Sequence, residues 1–303
     1  MKKIRLGVSS CLLGNLVRYD GQHQRNMFVC DELGPYVEYV PVCPEVECGL
    51  PVPREAMHLE GDPKAPRLVT INSKRDLTDQ MQTFVKAKLD ELAKAGLDGF
   101  IFKKDSPSSG WERVKVYNKS GTPARVGRGM FAGAFADRFP NLPMIEEGML
   151  NDQFLRERFL NRIFTNQRWH ELCAADRSKH MLSDFQARHK LMLMSHAPGK
   201  YHELGQIVES GDLNAYFVKL NEIMALLPSV SKHVNVMQHI LGYFKKDLAA
   251  WEKSELLEAL GQYREGLLRI EVPLTLLRHY SRKFDKDYLL DQTYWDILGR
   301  LYL

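Results

Sequence analysis

The stretch that decides the fold is Ile4-Arg5-Leu6-Gly7-Val8-Ser9-Ser10-Cys11, an apolar run that ends in two serines and a cysteine. Short apolar runs bounded by Gly, Pro and Ser are typical of β-strands. Two other runs of this kind also end in chemically reactive loops, Val37 to Val42 before Cys43 and Gly99 to Lys104 before Ser106. Because the loops at the carboxyl ends of parallel strands meet in one crevice, the pattern predicts one site built from three distant loops.

The loop after the second run is the richest in reactive side chains. It carries two thiols and two carboxylates within the eight residues from Val42 to Gly49. A thiolate is a metal ligand, and a carboxylate beside a metal can act as a general acid or base. The loop therefore indicates a reaction site.

The bulk composition is that of a globular protein. The chain has 303 residues, of which 44% are hydrophobic and 26% charged, so it is long enough for two domains. The sequence shows neither a signal-peptide core nor an apolar stretch of membrane length, and we expect a cytoplasmic protein with no membrane partner. Four of the five cysteines lie within the first 48 residues. Their odd number and uneven spacing favour metal binding or catalysis over disulfides.

The two halves of the chain differ in their periodicity. Up to residue 148, strand-like and helix-like segments alternate, and the clearest helix, Asp76 to Ala95, repeats its apolar residues at steps of three and four. This pattern predicts a Rossmann-like α/β domain with a mostly parallel sheet over residues 1–148. From residue 149 to residue 303, Gly and Pro become scarce, and an all-α domain is expected. Its predicted helices are Gln186 to His196, Leu213 to Leu227, His233 to Phe244, Leu256 to Leu268 and Pro273 to Tyr280.

A basic stretch lies at the start of the second half. Residues 156–190 include four acidic residues and eight basic ones. The basic residues are Arg156, Arg158, Arg162, Arg168, Arg177, Lys179, Arg188 and Lys190. The net charge of +4 is too small to indicate a polyanionic partner by itself. From composition alone, the stretch is either an ordinary solvated helix face or a phosphate-binding surface.

Three cysteines form a candidate ligand set: Cys11, Cys43 and Cys48. A closed zinc site normally has four ligands with a Cys-x-x-Cys spacing, which is absent here. An iron-sulfur cluster held by three thiolates leaves one iron open, and such an iron acts as a Lewis acid for a soft sulfur ligand.

At this point the motifs resemble those of a known family. Ser9 to Gly21, Pro41 to Glu45, Gly49 to Arg54 and Lys103 to Gly110 are similar, in order, to motifs of the TudS thiouracil desulfurases. The resemblance covers about residues 4–148. The second half looks like a helical domain long catalogued as uncharacterised, and the fusion resembles the two-domain RudS proteins, which remove sulfur from 4-thiouridine in transfer RNA.

The resemblance implies a tRNA 4-thiouridine desulfidase that yields uridine and hydrogen sulfide. Its cofactor would be a 4Fe-4S cluster with three cysteine ligands and a fourth iron open to the substrate sulfur. Where single-domain relatives have a cluster-ligand cysteine, this chain has Ser109, and Cys48 is predicted to replace that ligand, with Cys30 as the rival. The implied metal ligands are Cys11, Cys43 and Cys48, and the implied catalytic residues are Glu45 and Ser106.

The remaining site predictions concern substrate contacts. Those at the catalytic site are Ser10, Arg18, Asp20, Lys104, Ser108 and Ser109, although Arg18 and Asp20 could equally form a structural turn. The residues predicted to bind RNA are Arg162, Arg168, Arg188, His189 and Lys190. The expected partner is thiolated tRNA, and a monomer is favoured. Two alternatives stay open: a desulfidase of free thiouracil or thionucleosides, whose helical domain serves oligomerisation, and a non-enzymatic iron-sulfur RNA-binding sensor.

Overall fold

The computed structural model describes residues 3–175 and 178–297, so Arg177 of the basic stretch lies outside the described residues. The chain divides into two units, Met1–Gln153 and Phe154–Leu303. The division falls at residue 153 rather than at the expected 148, because the short 3₁₀ helix Glu147–Asn151 follows the last strand and belongs to the first unit. The sequence prediction of an α/β unit followed by a helical unit is confirmed.

The described residues of the first unit form eight strands and three α-helices, besides short 3₁₀ and π turns. The strands are β1 (Ile4–Ser9), β2 (Val37–Val42), β3 (Met57–Asp62), β4 (Ala65–Thr70), β5 (Gly99–Phe102), β6 (Val114–Tyr117), β7 (Pro123–Gly127) and β8 (Met144–Glu146). The helices are α1 (Pro44–Glu47), α2 (Thr78–Ala95) and α3 (Met130–Arg138).

One sheet is wholly parallel, in the order β2-β1-β5-β8. The chain runs from β1 to β2 on one side and later returns to β5 on the other side, so the order reverses beside β1. In open α/β sheets, ligands bind at this reversal, outside the carboxyl ends of the strands. Gly7 allows β1 and β5 to pack closely there, since a Cβ on Gly7 would lie 2.1 Å from Cδ2 of Phe100.

The core of this unit follows from the helical period. Met81, Val85, Leu89 and Leu92 of α2 are all buried, as the sequence predicts. A second, mixed sheet with the order β4-β3-β6-β7 was not predicted. Its strand β7 is exposed over four of its five residues, so it lacks the apolar signal of a core strand.

The second unit is helical throughout its described residues. Its helices are α4 (Gln153–Ala175), α5 (Lys179–His196), α6 (Tyr201–Ser210), α7 (Leu213–Met224), α8 (Val230–Gly242), α9 (Ala250–Arg264), α10 (Glu271–Lys283) and α11 (Asp287–Leu290). The five predicted helices correspond to α5, α7, α8, α9 and α10, with ends shifted by several residues. Helices α4 and α6 and the short α11 were not predicted. No helix among the described residues is long and apolar enough to cross a membrane.

Polar side chains are buried inside the helical unit. His233 Nε2 lies 3.1 Å from the buried Glu157 carboxylate. His196 is fully buried, its Nδ1 lies 2.7 Å from the Leu226 carbonyl oxygen, and its Nε2 lies 3.3 Å from Nδ2 of Asn161. Since a carbonyl can only accept and the Asn161 amide nitrogen can only donate, this ring is a neutral imidazole with its proton on Nδ1. Burial lowers the pKa of His196 to about 4.

Candidate active site at the carboxyl edge of the parallel sheet

A cavity of about 640 Å³ opens at the carboxyl edge of the parallel sheet. Most of its wall comes from the loops that follow β1, β2 and β5, the three that the sequence predicts to meet in one site. Met57, Ile71 and Lys115, on or next to strands of the second sheet, complete the lining. The Ser9 hydroxyl accepts a hydrogen bond from the Lys103 backbone N–H at 2.9 Å, which ties the ends of β1 and β5 together. The fold thus brings residues about 100 positions apart into one pocket.

Two thiols line this pocket. Cys11 lies in the 3₁₀ turn Ser10–Leu13 after β1, and Cys43 is the residue before α1. Burial raises the pKa of the Cys11 thiol to about 11 against the opposing effect of Lys103, and burial also raises the pKa of Cys43. A metal would have to displace both protons, so its binding would release protons and strengthen with rising pH.

The other two amino-terminal cysteines do not line the pocket. The Cys48 side chain packs against the hydrophobic core, and its thiol donates to the Glu45 carbonyl oxygen at 3.2 Å. The Cys30 thiol donates to the Leu12 carbonyl oxygen at 3.3 Å. The structure therefore does not bring Cys48, the predicted third ligand, to the site of Cys11 and Cys43. The buried Ser109 does line the pocket with them.

Of the three thiols predicted to bind an iron-sulfur cluster, the pocket contains two, Cys11 and Cys43. These two fit such a cluster. Ser109 offers a hydroxyl oxygen where a third sulfur would be expected. Among residues 3–175 and 178–297, no group of three or more His, Cys, Asp or Glu side chains is arranged to hold a metal ion. The pocket as it stands is a two-thiol site.

Glu45 lies in the pocket with both carboxylate oxygens engaged. Oε2 accepts hydrogen bonds from Nε of Arg54, at 2.9 Å, and from Nη2 of the same guanidinium. Oε1 accepts from the Ser108 hydroxyl at 2.9 Å. The side chains of Arg54 and Glu45 are only 5% and 13% exposed, so this ion pair is largely shielded from solvent.

The serine loop after β5, residues 106–110, completes this wall. The hydroxyls of Ser106 and Ser108 lie 3.0 Å apart, and the backbone N–H groups of Ser108 and Ser109 both donate to Ser106 Oγ, at 3.3 and 3.0 Å. Glu45, Ser106 and Ser108 are thus joined in one hydrogen-bonded chain. All three had been predicted as site residues.

Helix α3 holds the serine loop in place. The first N–H groups of a helix have no partner within the helix. In α3, the Met130 N–H donates to the Pro107 carbonyl oxygen at 3.1 Å, and the Phe131 N–H donates to the Ser108 carbonyl oxygen at 2.9 Å. Gly129 permits this contact, because a Cβ there would lie 2.5 Å from the backbone carbonyl of Ser108.

The predicted substrate contacts fall into two groups. Ser10, Arg18, Lys104, Ser108 and Ser109 line the pocket. Asp20 is not among the lining residues; its carboxylate accepts from the Gln22 backbone N–H and pairs with Arg18, and these contacts lower its pKa. Asp20 therefore closes a turn, one of the two readings that the sequence left open. Arg54 is not among the predicted site residues, although it ends the motif Gly49 to Arg54.

The structure does not gather the predicted RNA-binding residues into one exposed surface. His189 is buried, stacks on Phe185 and has its Nδ1 2.7 Å from the Phe185 carbonyl oxygen, so its ring does not face solvent. Arg168 pairs with Asp296, and burial lowers the pKa of Arg162 to about 10. Lys190 Nζ lies over the Tyr201 ring, 5.7 Å from its centroid. Of the five predicted residues, Arg188 is the exposed one.

The first unit is an α/β domain with its pocket at the point where the strand order reverses, which is where open α/β sheets bind ligands. Comparison with known proteins makes this more specific. Residues 6–147 match the family model of 2-thiouracil desulfurase, and this part of the chain belongs to that family. Residues 190–297 match the model of a protein of unknown function, DUF1722.

Two individual proteins are also similar to this chain. The uncharacterised protein YbgA of Escherichia coli strain K12 is 26% identical over 160 residues, which are 50% of this chain and 95% of YbgA. A solved 4Fe-4S-dependent thiouracil desulfidase, TudS, is 30% identical and has a TM-score of 0.40, over 50% of this chain and 95% of TudS.

Proposed function

We propose that this protein is an iron-sulfur desulfidase that converts 4-thiouridine in tRNA to uridine. The observation that carries the proposal is the pocket in which two thiols, Cys11 and Cys43, lie beside the shielded carboxylate of Glu45. Membership of the 2-thiouracil desulfurase family supports the C=S chemistry, and the TudS relative is itself 4Fe-4S-dependent.

In this reaction, water adds to the C4 carbon of the thiolated base, and sulfur leaves as hydrogen sulfide. The C=S bond is replaced by C=O, one water molecule is consumed, and no electrons are gained or lost. Cys11 and Cys43 would hold the cluster, which when bound supplies a Lewis-acidic iron for the sulfur. Glu45 takes a proton from the attacking water and returns it to the departing sulfur. The second proton of the water leaves the C4 hydroxyl as the carbonyl forms and completes the hydrogen sulfide. Ser106 faces the pocket and orients the base or relays that proton.

The choice of tRNA over a free base is supported by charge around the pocket. Arg18, Lys103, Lys104 and Lys115 line it together with Arg54. Lys103 is paired with Glu147 and Arg18 with Asp20, which leaves the ammonium groups of Lys104 and Lys115 without a carboxylate in ion-pair range among the described residues. A substrate that carries phosphates beside the base would gain from these cations, whereas a neutral free base would not.

The decisive experiment uses the full chain, reconstituted with iron and sulfide without oxygen. Sulfide release and uridine formation are compared on 4-thiouridine-containing tRNA, 4-thiouridine and 4-thiouracil. We expect the highest kcat/KM on tRNA, loss of activity in Glu45→Gln, and full activity in Glu60→Gln, whose carboxylate pairs with Arg67 on the surface. Equal kcat/KM on the free base would favour the free-pyrimidine desulfidase. RNA binding without sulfide release would favour the sensor.

The cluster ligands can be assigned by measuring iron, sulfide and the paramagnetic resonance spectrum of single variants. Cys11→Ala and Cys43→Ala should lose the cluster. Since the Cys48 thiol packs against the core, Cys48→Ala should keep it, as should Cys30→Ala. Ser109→Cys should raise the iron content, because it adds a third sulfur to the pocket wall. Loss of iron in Cys48→Ala would instead establish Cys48 as a ligand, with a turn that moves on binding.

A further inference from the structure

The hydrogen-bonded chain around Glu45 has a direction that can be read from its donors. The Ser108 hydroxyl has one proton, and a carboxylate can only accept, so that proton lies on the 2.9 Å contact with Glu45 Oε1. The 3.0 Å contact between Ser106 and Ser108 must then use the proton of Ser106. The backbone N–H groups of Ser108 and Ser109 already donate to Ser106 Oγ, which fixes this arrangement.

Arg54 makes the two oxygens of Glu45 unequal. Two guanidinium N–H groups donate to Oε2, so this oxygen is held as an anion in a charge-assisted pair. Two further N–H groups of Arg54 donate to backbone carbonyl oxygens, that of Val17 at 3.0 Å and that of Pro51 at 3.4 Å. The guanidinium is therefore anchored on three chain segments and cannot turn away from Glu45 without breaking several hydrogen bonds. Oε1 is the oxygen that remains available to take up a proton.

We propose that Ser108 is a proton relay between Ser106 and Glu45 Oε1, and that Arg54 is the positioning residue that directs the proton to this oxygen. This inference rests on the proposed desulfidase function. As water attacks the base, its proton reaches Ser106 Oγ in place of the longer of the two N–H contacts there, that of Ser108 at 3.3 Å. The Ser106 proton then passes to Ser108, and the Ser108 proton passes to Glu45. One proton leaves the water and one arrives on Glu45, so both serines are unchanged.

The relay assigns different roles to residues in the same wall of the pocket. Ser106 faces the reacting water, whereas Ser108 is only 1% exposed and acts through its two neighbours. Removal of the Ser108 hydroxyl should therefore lower kcat and leave KM nearly unchanged. Proton transfer by a positioned group contributes about 10²- to 10⁴-fold to a rate, and we expect Ser108→Ala to lose about 10²-fold in kcat.

The matched control is Ser73→Ala. The Ser73 hydroxyl also donates to a carboxylate, that of Glu55 at 2.6 Å, but the pair lies on an exposed loop and does not line the pocket. Ser73→Ala should keep wild-type kcat. Iron content and the thermal unfolding midpoint are measured on every variant, so that a kcat loss through misfolding or a missing cluster is recognised.

Rates in mixtures of H₂O and D₂O give a readout that a purely structural role would not change. In the wild type, several protons move together, so the rate should fall along a curve as the deuterium fraction rises. In Ser108→Ala the relay is broken, and the dependence should become linear. A linear dependence in the wild type, or wild-type kcat in Ser108→Ala, would overturn the relay while leaving the desulfidase function in place.

Arg54 is tested by Arg54→Ala with and without added guanidinium ion. We expect a lower kcat that guanidinium partly restores, because the ion can refill the site beside Oε2. Arg25→Ala, which breaks the exposed pair with Asp31, should be fully active and insensitive to guanidinium. Full activity of Arg54→Ala would refute the positioning role. A full-length wild type that releases no sulfide from any thiolated pyrimidine would reject the function and the relay together.

Discussion

The contact between Gly129 and the serine loop gives a sharp test of how the pocket is built. Gly129 has φ −61° and ψ 148°, which alanine adopts without strain. An added Cβ would nevertheless lie 2.5 Å from C and O of Ser108 and 2.8 Å from N of Gly110. These are backbone atoms, so no flexible side chain can turn away to make room. Gly129→Ala should push Ser108 away from Glu45.

The size of the effect can be bounded. Overpacking of this kind costs about 1–3 kcal/mol, and the lower backbone entropy of the unfolded alanine variant returns about 0.4–1 kcal/mol. The middle of each range leaves a net loss of about 1.3 kcal/mol, which corresponds to a fall in Tm of roughly 3–5 °C for a domain of this size. The control is Gly133→Ala, four residues later in α3, where the nearest atom to the new Cβ is Arg128 Cβ at 3.6 Å. There we expect a gain of about 0.5–1 kcal/mol.

Both variants are measured by thermal and urea unfolding of the full chain, together with kcat. Gly129→Ala should be less stable and less active, and Gly133→Ala more stable and fully active. If Gly129→Ala unfolds within about 0.5 kcal/mol of the wild type, the contact is not rigid and the reasoning is wrong.

Three other outcomes can be checked independently. The pKa of His196 is about 4 in the folded protein and about 6.5 in the unfolded chain. Its contribution to the free energy of unfolding is therefore complete above pH 6.5 and is lost as the pH falls toward 4, by at most about 3 kcal/mol. In urea unfolding at several pH values, His196→Gln should not show this loss. Asp212 accepts from the N–H groups of Asn214 and Ala215 at the start of α7, so Asp212→Ala should lower the free energy of unfolding by about 1 kcal/mol, with wild-type kcat as its control. Arg188→Glu should weaken tRNA binding and flatten its salt dependence in a filter-binding titration; an unchanged slope would place the RNA surface elsewhere.

The predictions that succeeded depend on periodicity. Apolar residues at steps of three and four in α2 and β-type runs before reactive loops are local signals, and they located the parallel sheet and its carboxyl-edge loops. His189 was predicted to contact RNA because its neighbours are basic, whereas the helical period is what determines its position, and the structure places it in the interior. Phe185, four residues earlier, and Met192, three later, lie on the same helix face and are buried, a pattern that already predicted an inward-facing ring.

The orientation of single side chains around the pocket was harder to predict. Cys43 and Cys48 flank the short helix α1, and five residues of helix rotate a side chain by roughly 140°, so two thiols in one loop need not face one site. Arg54 was missed because its partner, Glu45, lies nine residues away across a turn. Such a pair follows from the path of the chain, which residue spacing alone does not reveal.

The bonds between α3 and the serine loop also provide a natural probe of motion. The amide protons of Met130 and Phe131 are held by carbonyl oxygens of the loop rather than by their own helix. Their exchange with deuterium therefore reports separation of the loop from α3, whereas exchange at the last turn of α3 reports fraying of the helix. Hydrogen exchange at these two amides, measured with and without a thiolated base, would reveal whether the catalytic wall opens to admit substrate.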